Sequence, residues 1–157
     1  MGSSAGGHLV ACLGVRDTRD NSIEELKDFS SRVQCVVDVH GIHDMPSLVG
    51  TSLENQCIVG FLGDSFKNIS PVWEDASPIR FISDLTAPML IIHDPHDTVV
   101  PYDDSVKFAT ALTRAYRPIE FMPVPHAGHG FVYNPQKEWT QKVWPVAVAW
   151  LKRFLQN

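Results

Sequence analysis

The segment Gly2-Ser3-Ser4-Ala5-Gly6-Gly7-His8 decides the fold of this 157-residue chain. Its first five residues match Gly-x-Ser-x-Gly, a pattern that holds the serine on a sharp turn between a strand and a helix. Small and apolar residues recur at helical spacing over residues 5–14, which predicts that helix. A strand needs about five residues, and Met1 alone stands before the motif. The sequence therefore predicts the helix without the strand that usually leads into the turn.

The rest of the chain alternates strand-length apolar runs with helical patterns. We predict strands at residues 33–39, 89–93 and 119–124, and helices at 23–29, 48–62, 105–116 and 136–155, with a kink or restart at Pro145. Apolar strands separated by helices are typical of a parallel sheet that is covered on both faces. The expected architecture is a single α/β domain, residues 1–157, with a three-stranded parallel sheet and flanking helices.

Composition and charge exclude several functional classes. The chain has 13 basic and 18 acidic residues, a net charge of −5, and so offers no basic surface for nucleic acid. Its apolar runs are far shorter than the roughly 20 residues that a membrane span needs. The N-terminus shows no basic segment followed by an apolar stretch, the pattern of a signal peptide, so we expect a cytoplasmic protein. Cys12, Cys35 and Cys57 lack metal-site spacing and have apolar neighbours, which favours small buried residues over disulfides or ligands.

Three polar segments fall where open α/β sheets place their sites, at the ends of strands or the starts of helices. Ser4 comes first, Asp97 follows the second predicted strand, and His129 follows the third. The order serine, aspartate, histidine is that of α/β-hydrolases and differs from the other common serine triad orders.

The chain resembles the C-terminal half of an α/β-hydrolase esterase, in the hormone-sensitive-lipase-like and feruloyl or acetyl-xylan-esterase-like group. Residues 2–9, 73–78, 87–101 and 126–131 carry the resemblance, which covers nearly the whole chain. It implies a truncated α/β-hydrolase fold. It also implies a serine carboxylic ester hydrolase that acts on short-chain acyl, acetyl or feruloyl esters, free or linked to polysaccharides, and that needs no cofactor or metal.

The roles of the three residues follow from acyl-transfer chemistry. A serine is a poor nucleophile until a base accepts its proton, which is the role expected of His129. A carboxylate must fix the tautomer of that imidazole, and the resemblance assigns this role to Asp97. The backbone N–H of Ala5, next to the nucleophile, is the expected oxyanion donor.

Rival residues stand close to each candidate. Ser3 neighbours the nucleophile, but only Ser4 has glycines at both flanking positions of the motif. The other candidate acids are Asp94, which is the runner-up, and Asp103 and Asp104. His126 competes with His129, although the ending His-Gly-Phe favours His129.

The second oxyanion donor is missing from the expected set. The resembling families take it from a His-Gly-Gly loop after an early strand, and His40-Gly41 follows a different strand. We therefore expect an isolated chain to be impaired, and to be completed by forming a homo-oligomer or by a missing N-terminal half. Two other hypotheses stay open, a prolyl-oligopeptidase-type peptidase and a hydrolase-like binding protein without turnover.

Overall fold

The fold is described here from a computed structural model that covers residues 1–18, 22–51, 58–62 and 71–155. Four parallel strands form one sheet in this part of the chain, in the order β1 (Gly2–Ser3), β2 (Val36–Val39), β3 (Met89–His93) and β4 (Ile119–Pro123). The α-helices are α1 (Ala5–Val15), α2 (Val59–Leu62), α3 (Pro71–Asp75), α4 (Tyr102–Arg114) and α5 (Glu138–Leu155). Short 3-10 helices lie at Glu24–Leu26, Met45–Leu48, Pro78–Phe81 and Phe131–Tyr133.

The predicted parallel sheet with flanking helices is confirmed, but the described residues form four strands instead of three. The additional strand is β1, in which Gly2 pairs with Asp38 and Ser3 pairs with Val39. Two residues carry no strand pattern of their own, so the sequence could not reveal β1. Pairing with a neighbouring buried strand decides their conformation, as it often does in sheets.

Several boundaries also differ from the sequence prediction. Helix α4 begins earlier than expected, at Tyr102, with two carboxylates in the first turn, where the helix dipole favours negative charge. Helix α5 continues through Pro145 as one helix. Cys12 and Cys35 are free thiols, half-buried where full burial was expected, and Cys57 lies outside the described residues.

The core has two layers because successive strand residues face opposite sides of the sheet. One layer joins strand residues to α5, and its members include Val37, Val39, Leu90, Ile92, Val143, Ala147 and Trp150. The other joins the opposite face to α1 and α4, through Val36, Met89, Ile91, Ala11, Phe108 and Leu112. No helix in the described ranges is long and apolar enough to cross a membrane. The four strands end at one edge of the sheet, where the predicted site residues lie.

Candidate active site

Ser4 occupies the sharp turn between β1 and α1. Its backbone angles, φ 56° and ψ −120°, lie in a region that residues other than glycine rarely adopt. Two hydrogen bonds hold it there. The Ser4 N–H donates to the Val39 carbonyl at 2.9 Å, and the Ser4 carbonyl accepts the His8 N–H at 3.0 Å. The turn is therefore anchored both to β2 and to the first turn of α1.

The two motif glycines that flank Ser4 differ in the space that surrounds them. A Cβ at Gly2 would lie 2.0 Å from the Gly6 carbonyl oxygen, a distance that no side chain tolerates. A Cβ at Gly6 would meet nothing within 4 Å in the described structure. The close approach of α1 to β1 thus requires glycine at the first motif position.

The three predicted residues come together at the end of the sheet. Ser4 Oγ lies 3.0 Å from His129 Nε2, and His129 Nδ1 lies 2.8 Å from Asp97 Oδ2. The Asp97 side chain is fully buried, whereas 21% of the His129 side chain is exposed. A continuous hydrogen-bonded chain thus runs from a buried carboxylate, through a partly accessible imidazole, to the hydroxyl.

Asp97 is held ionised by its hydrogen bonds. Burial acts to raise its pKa, but the contacts with His129 and His93 and the backbone N–H of Val99 outweigh burial and keep the pKa far below its usual range. Asp97 Oδ1 accepts the N–H groups of Val99 and Val100 at 2.8 and 3.1 Å. The oxygen facing His129 is therefore a fixed, negatively charged acceptor.

Ser3 and Asp104 have other partners, and Asp103 is exposed. Ser3 Oγ lies 2.8 Å from His40 Nε2. Asp103 is exposed in the first turn of α4, and the neighbouring Asp104 is buried against His43, 2.8 Å from Nδ1.

Asp94, the runner-up acid, ties two loops together. Its carboxylate accepts the N–H groups of Gly128 at 2.7 Å and of His126 at 3.0 Å, so it fixes the loop that carries His129. Burial acts to raise the pKa of Asp94, but backbone donors including those of His96 and Gly128 outweigh it and lower the pKa. The exposed His126 ring stacks on His96 at 4.1 Å. Residues 94–97 thus contain two aspartates, one that bonds the His129 ring and one that bonds the backbone of the loop that carries it.

His40 is a site residue that the sequence analysis missed. It is fully buried, its φ of 42° is left-handed, and its ring centroid lies 4.3 Å from that of His129. Burial, reinforced by the nearby His129, lowers the pKa of His40 to about 4, so this ring is neutral near pH 7. Among the described residues, His40, Asp97 and His129 form one group whose potential metal-ligating atoms lie within 4.8 Å of one another. Two of its three members already bond each other, so the group belongs to the same site.

The predicted oxyanion donor begins helix α1. The first N–H groups of a helix have no intrahelical partner and carry partial positive charge, as an oxyanion requires. An apolar cavity of about 270 Å³ adjoins Ala5. Its other lining residues are His8, Leu9, Ile42, Met45, Ile58 and Phe61.

The chain is similar to a family model, to curated proteins and to solved structures. The model of the BD-FAE family matches residues 1–112. Esterase LipC of Mycobacterium tuberculosis is 31% identical over 137 residues, which are 83% of this chain and 34% of LipC. An acetyl ester-xyloside bifunctional hydrolase from Caldicellulosiruptor lactoaceticus superposes with a TM-score of 0.80 at 25% identity, over 97% of this chain and 54% of that one.

A thermophilic esterase of Thermogutta terrifontis, Est2, superposes with a TM-score of 0.73 at 26% identity, over 97% of this chain and 53% of that one. The chain thus spans about a third of the length of LipC and about half of each solved esterase. With its family model matched over most of its residues, the chain belongs to the BD-FAE family of α/β-hydrolase esterases.

Proposed function

We propose that this chain carries the catalytic residues of a serine carboxylic ester hydrolase. The observation that supports this best is the hydrogen-bonded chain Asp97–His129–Ser4, with distances of 2.8 and 3.0 Å. The similarity to LipC and to the acetyl ester hydrolase supports ester chemistry in general.

In the proposed mechanism, Ser4 Oγ attacks the ester carbonyl while His129 Nε2 accepts the hydroxyl proton. Asp97 keeps the other proton on Nδ1 and stabilises the imidazolium that forms. The Ala5 N–H donates to the oxyanion of the tetrahedral intermediate. His129 then protonates the leaving alcohol, and water activated by the same imidazole releases the acyl group from Ser4.

The proposed substrate is an ester with a small, mostly apolar acyl group, within the expected range of short-chain acyl, acetyl and feruloyl esters. The apolar cavity of about 270 Å³ beside Ala5 supports this choice. Ligand sites in proteins are mostly apolar, with a few polar groups that fix orientation. No cofactor takes part in the proposed reaction.

A fluorescent alkyl phosphonate tests the proposal, since it reacts with an activated serine. We expect labelling of Ser4 in the 157-residue chain, and loss of both labelling and p-nitrophenyl acetate cleavage in Ser4→Ala. Ser3→Ala is the matched control and should still be labelled. Cleavage that survives in Ser4→Ala contradicts the proposal, and peptide p-nitroanilides assayed alongside test the peptidase alternative.

An alternative proposal is that the chain turns over only when further polypeptide completes it, by self-association or through a partner. It is favoured by the position of β1, which lies at the edge of the described sheet and pairs only with β2 there. An open edge strand is a template for another chain. A missing oxyanion donor would cost about 100- to 1000-fold in kcat. Light scattering, combined with activity over a protein dilution series, decides between a self-sufficient chain and one that needs further polypeptide. A stable monomer whose turnover does not depend on protein concentration contradicts the second alternative.

A further inference from the structure

A buried ionic cluster lies behind the candidate site, formed by Asp38, His43 and Asp104. All three residues are at most 2% exposed. His43 Nε2 donates to Asp38 Oδ2 at 2.5 Å, and His43 Nδ1 donates to Asp104 Oδ2 at 2.8 Å. The imidazole also stacks on Phe108, with centroids 4.3 Å apart. The ring is thus fixed in position by two carboxylates and in tilt by an aromatic face.

One carboxylate of the cluster touches the elements that carry Ser4. Asp38 lies on β2 and pairs with Gly2 of β1. A Cβ at Gly7 would lie 2.3 Å from Asp38 Oδ1 and 2.7 Å from the Gly41 Cα, so the first turn of α1 rests directly on this carboxylate. Movement of Asp38 would therefore shift the turn that holds Ser4.

The other carboxylate joins the cluster to α4, the helix that follows the Asp97 loop. Asp104 accepts the backbone N–H of His43 at 2.8 Å and that of Asp44 at 3.1 Å. The segment after β2 is therefore fixed at both ends, by strand pairing at Val39 and by Asp104 at residues 43 and 44.

That fixed segment carries His40, the residue in contact with the candidate base. The left-handed backbone of His40 is unfavourable for a residue with a side chain and persists only where its surroundings enforce it. The His40 ring lies against His129, and its Nε2 lies 2.8 Å from Ser3 Oγ. The cluster thus reaches Ser4 through Asp38 and reaches His129 through His40.

We propose that His43, held between Asp38 and Asp104, is a positioning residue that aligns Ser4 with His129. This inference rests on the proposed esterase function. A buried charge that loses one partner is strongly destabilising, so the cluster has one preferred arrangement while His43 is an imidazolium. Displacement by about 1 Å can cost about 100-fold in rate, which is the scale at which such a device acts.

The charge of His43 depends on its neighbours. Burial alone would lower its pKa, but Asp38 and Asp104 outweigh burial and raise the pKa to about 9. His8 of α1 also contributes to the local electrostatics, and burial lowers the pKa of His8. Within the proposal, turnover should decline as pH rises through about 9 because the imidazolium loses a proton and one of its two donors.

The kinetic test compares His43→Gln and Asp104→Asn with Asp103→Asn, the exposed neighbour on α4. We expect kcat for p-nitrophenyl acetate to fall about 10- to 100-fold in the first two variants, with KM little changed and with Ser4 still fully titratable by phosphonate. The decline above pH 9 should disappear in His43→Gln, and Asp103→Asn should behave like the wild type. Wild-type kcat per titrated site in both cluster variants would overturn the proposal, since a purely structural residue lowers only the folded fraction.

A second readout is independent of esterase activity and separates the two ways of failing. Histidine labelled with ¹⁵N reports the protonation of each ring in the intact chain. We expect both His43 nitrogens to stay protonated up to about pH 9, and the His40 and His129 signals to shift in Asp104→Asn. A His43 ring that titrates near its ordinary pKa, or unchanged His40 and His129 signals, overturns the inference. If the chain shows the expected signals but does not react with phosphonate, the proposed function is refuted. The inference that the cluster positions the His40 and His129 rings then still stands.

Discussion

Asp97→Asn tests the candidate site most directly, because the substitution keeps the shape of the side chain and removes its charge. The amide oxygen can still accept the N–H groups of Val99 and Val100, which now bond Asp97 Oδ1. The amide NH₂ then faces His129 Nδ1, where Oδ2 now lies at 2.8 Å. It donates to Nδ1 and drives the imidazole proton onto Nε2, which can no longer accept the Ser4 proton across 3.0 Å.

A histidine held in the wrong tautomer costs a serine triad about 10⁴-fold in kcat, or about 5 kcal/mol of transition-state stabilisation. We expect a loss of that order in Asp97→Asn, with little change in the melting temperature. The assay is steady-state hydrolysis of p-nitrophenyl acetate near neutral pH, with Ser4→Ala giving the background.

Asp94→Asn is the matched control, since Asp94 holds the histidine loop through backbone N–H groups. One of its oxygens remains an acceptor, so the substitution should cost about 1–3 kcal/mol of stability and much less kcat than Asp97→Asn. The assignment of the acid would be refuted if kcat in Asp97→Asn fell by less than about tenfold, because general-base catalysis usually contributes more than that. A larger loss of kcat in Asp94→Asn than in Asp97→Asn would refute it as well.

Two further predictions concern stability. Gly2→Ala should lower the melting temperature sharply because its Cβ would lie 2.0 Å from the Gly6 carbonyl oxygen. Gly6→Ala has open space around its Cβ, so this substitution should be neutral or should stabilise the fold by up to about 1 kcal/mol. Equal melting temperatures of the two variants would contradict this prediction. The raised pKa of His43, about 9, gives stability that is complete below pH 6.5 and is lost as pH rises through 9. The lowered pKa of His40, about 4, has no effect on stability above pH 6.5 and lowers stability as pH falls from 6.5 through 4, because the unfolded chain binds the proton more readily. Urea unfolding should therefore show a maximum near neutral pH, with His43 and His40 each contributing a loss of at most about 3 kcal/mol on its own side. His43→Gln should abolish only the alkaline loss, and a pH-independent unfolding free energy would exclude both assignments.

Local patterns were enough to predict the strongest elements. The run Met89–Ile92 is continuously apolar, residues Met89–His93 are fully buried, and the predicted bounds match β3. The helix after the motif begins at Ala5 as predicted. The catalytic roles of Ser4, Asp97, His129 and Ala5 remain predictions, although the structure brings the first three together.

The elements that the sequence did not reveal depend on distant partners. Strand β1 exists because Gly2 and Ser3 pair with β2, more than thirty residues away in the chain. His40 looked like the end of a strand, and its contact with His129 arises only when two loops meet at one edge of the sheet. His43 and Asp104 lie 61 residues apart, so no local pattern could join them.

The motif Gly2-Ser3-Ser4-Ala5-Gly6, with Asp97 and His129 after it in order, determined by itself the family and the candidate nucleophile, acid and base. Residue type and spacing suffice there because the chemistry demands particular functional groups at the ends of successive strands. Tertiary structure alone decided which of the neighbouring aspartates faces the His129 imidazole and what holds Ser4 in its strained turn. It also decided how the buried cluster around His43 connects the Ser4 turn with the segment that carries His40. Those features are contacts between segments that are distant in the chain, and their distances, burial and charge exist only once the sheet has brought the loops to one edge.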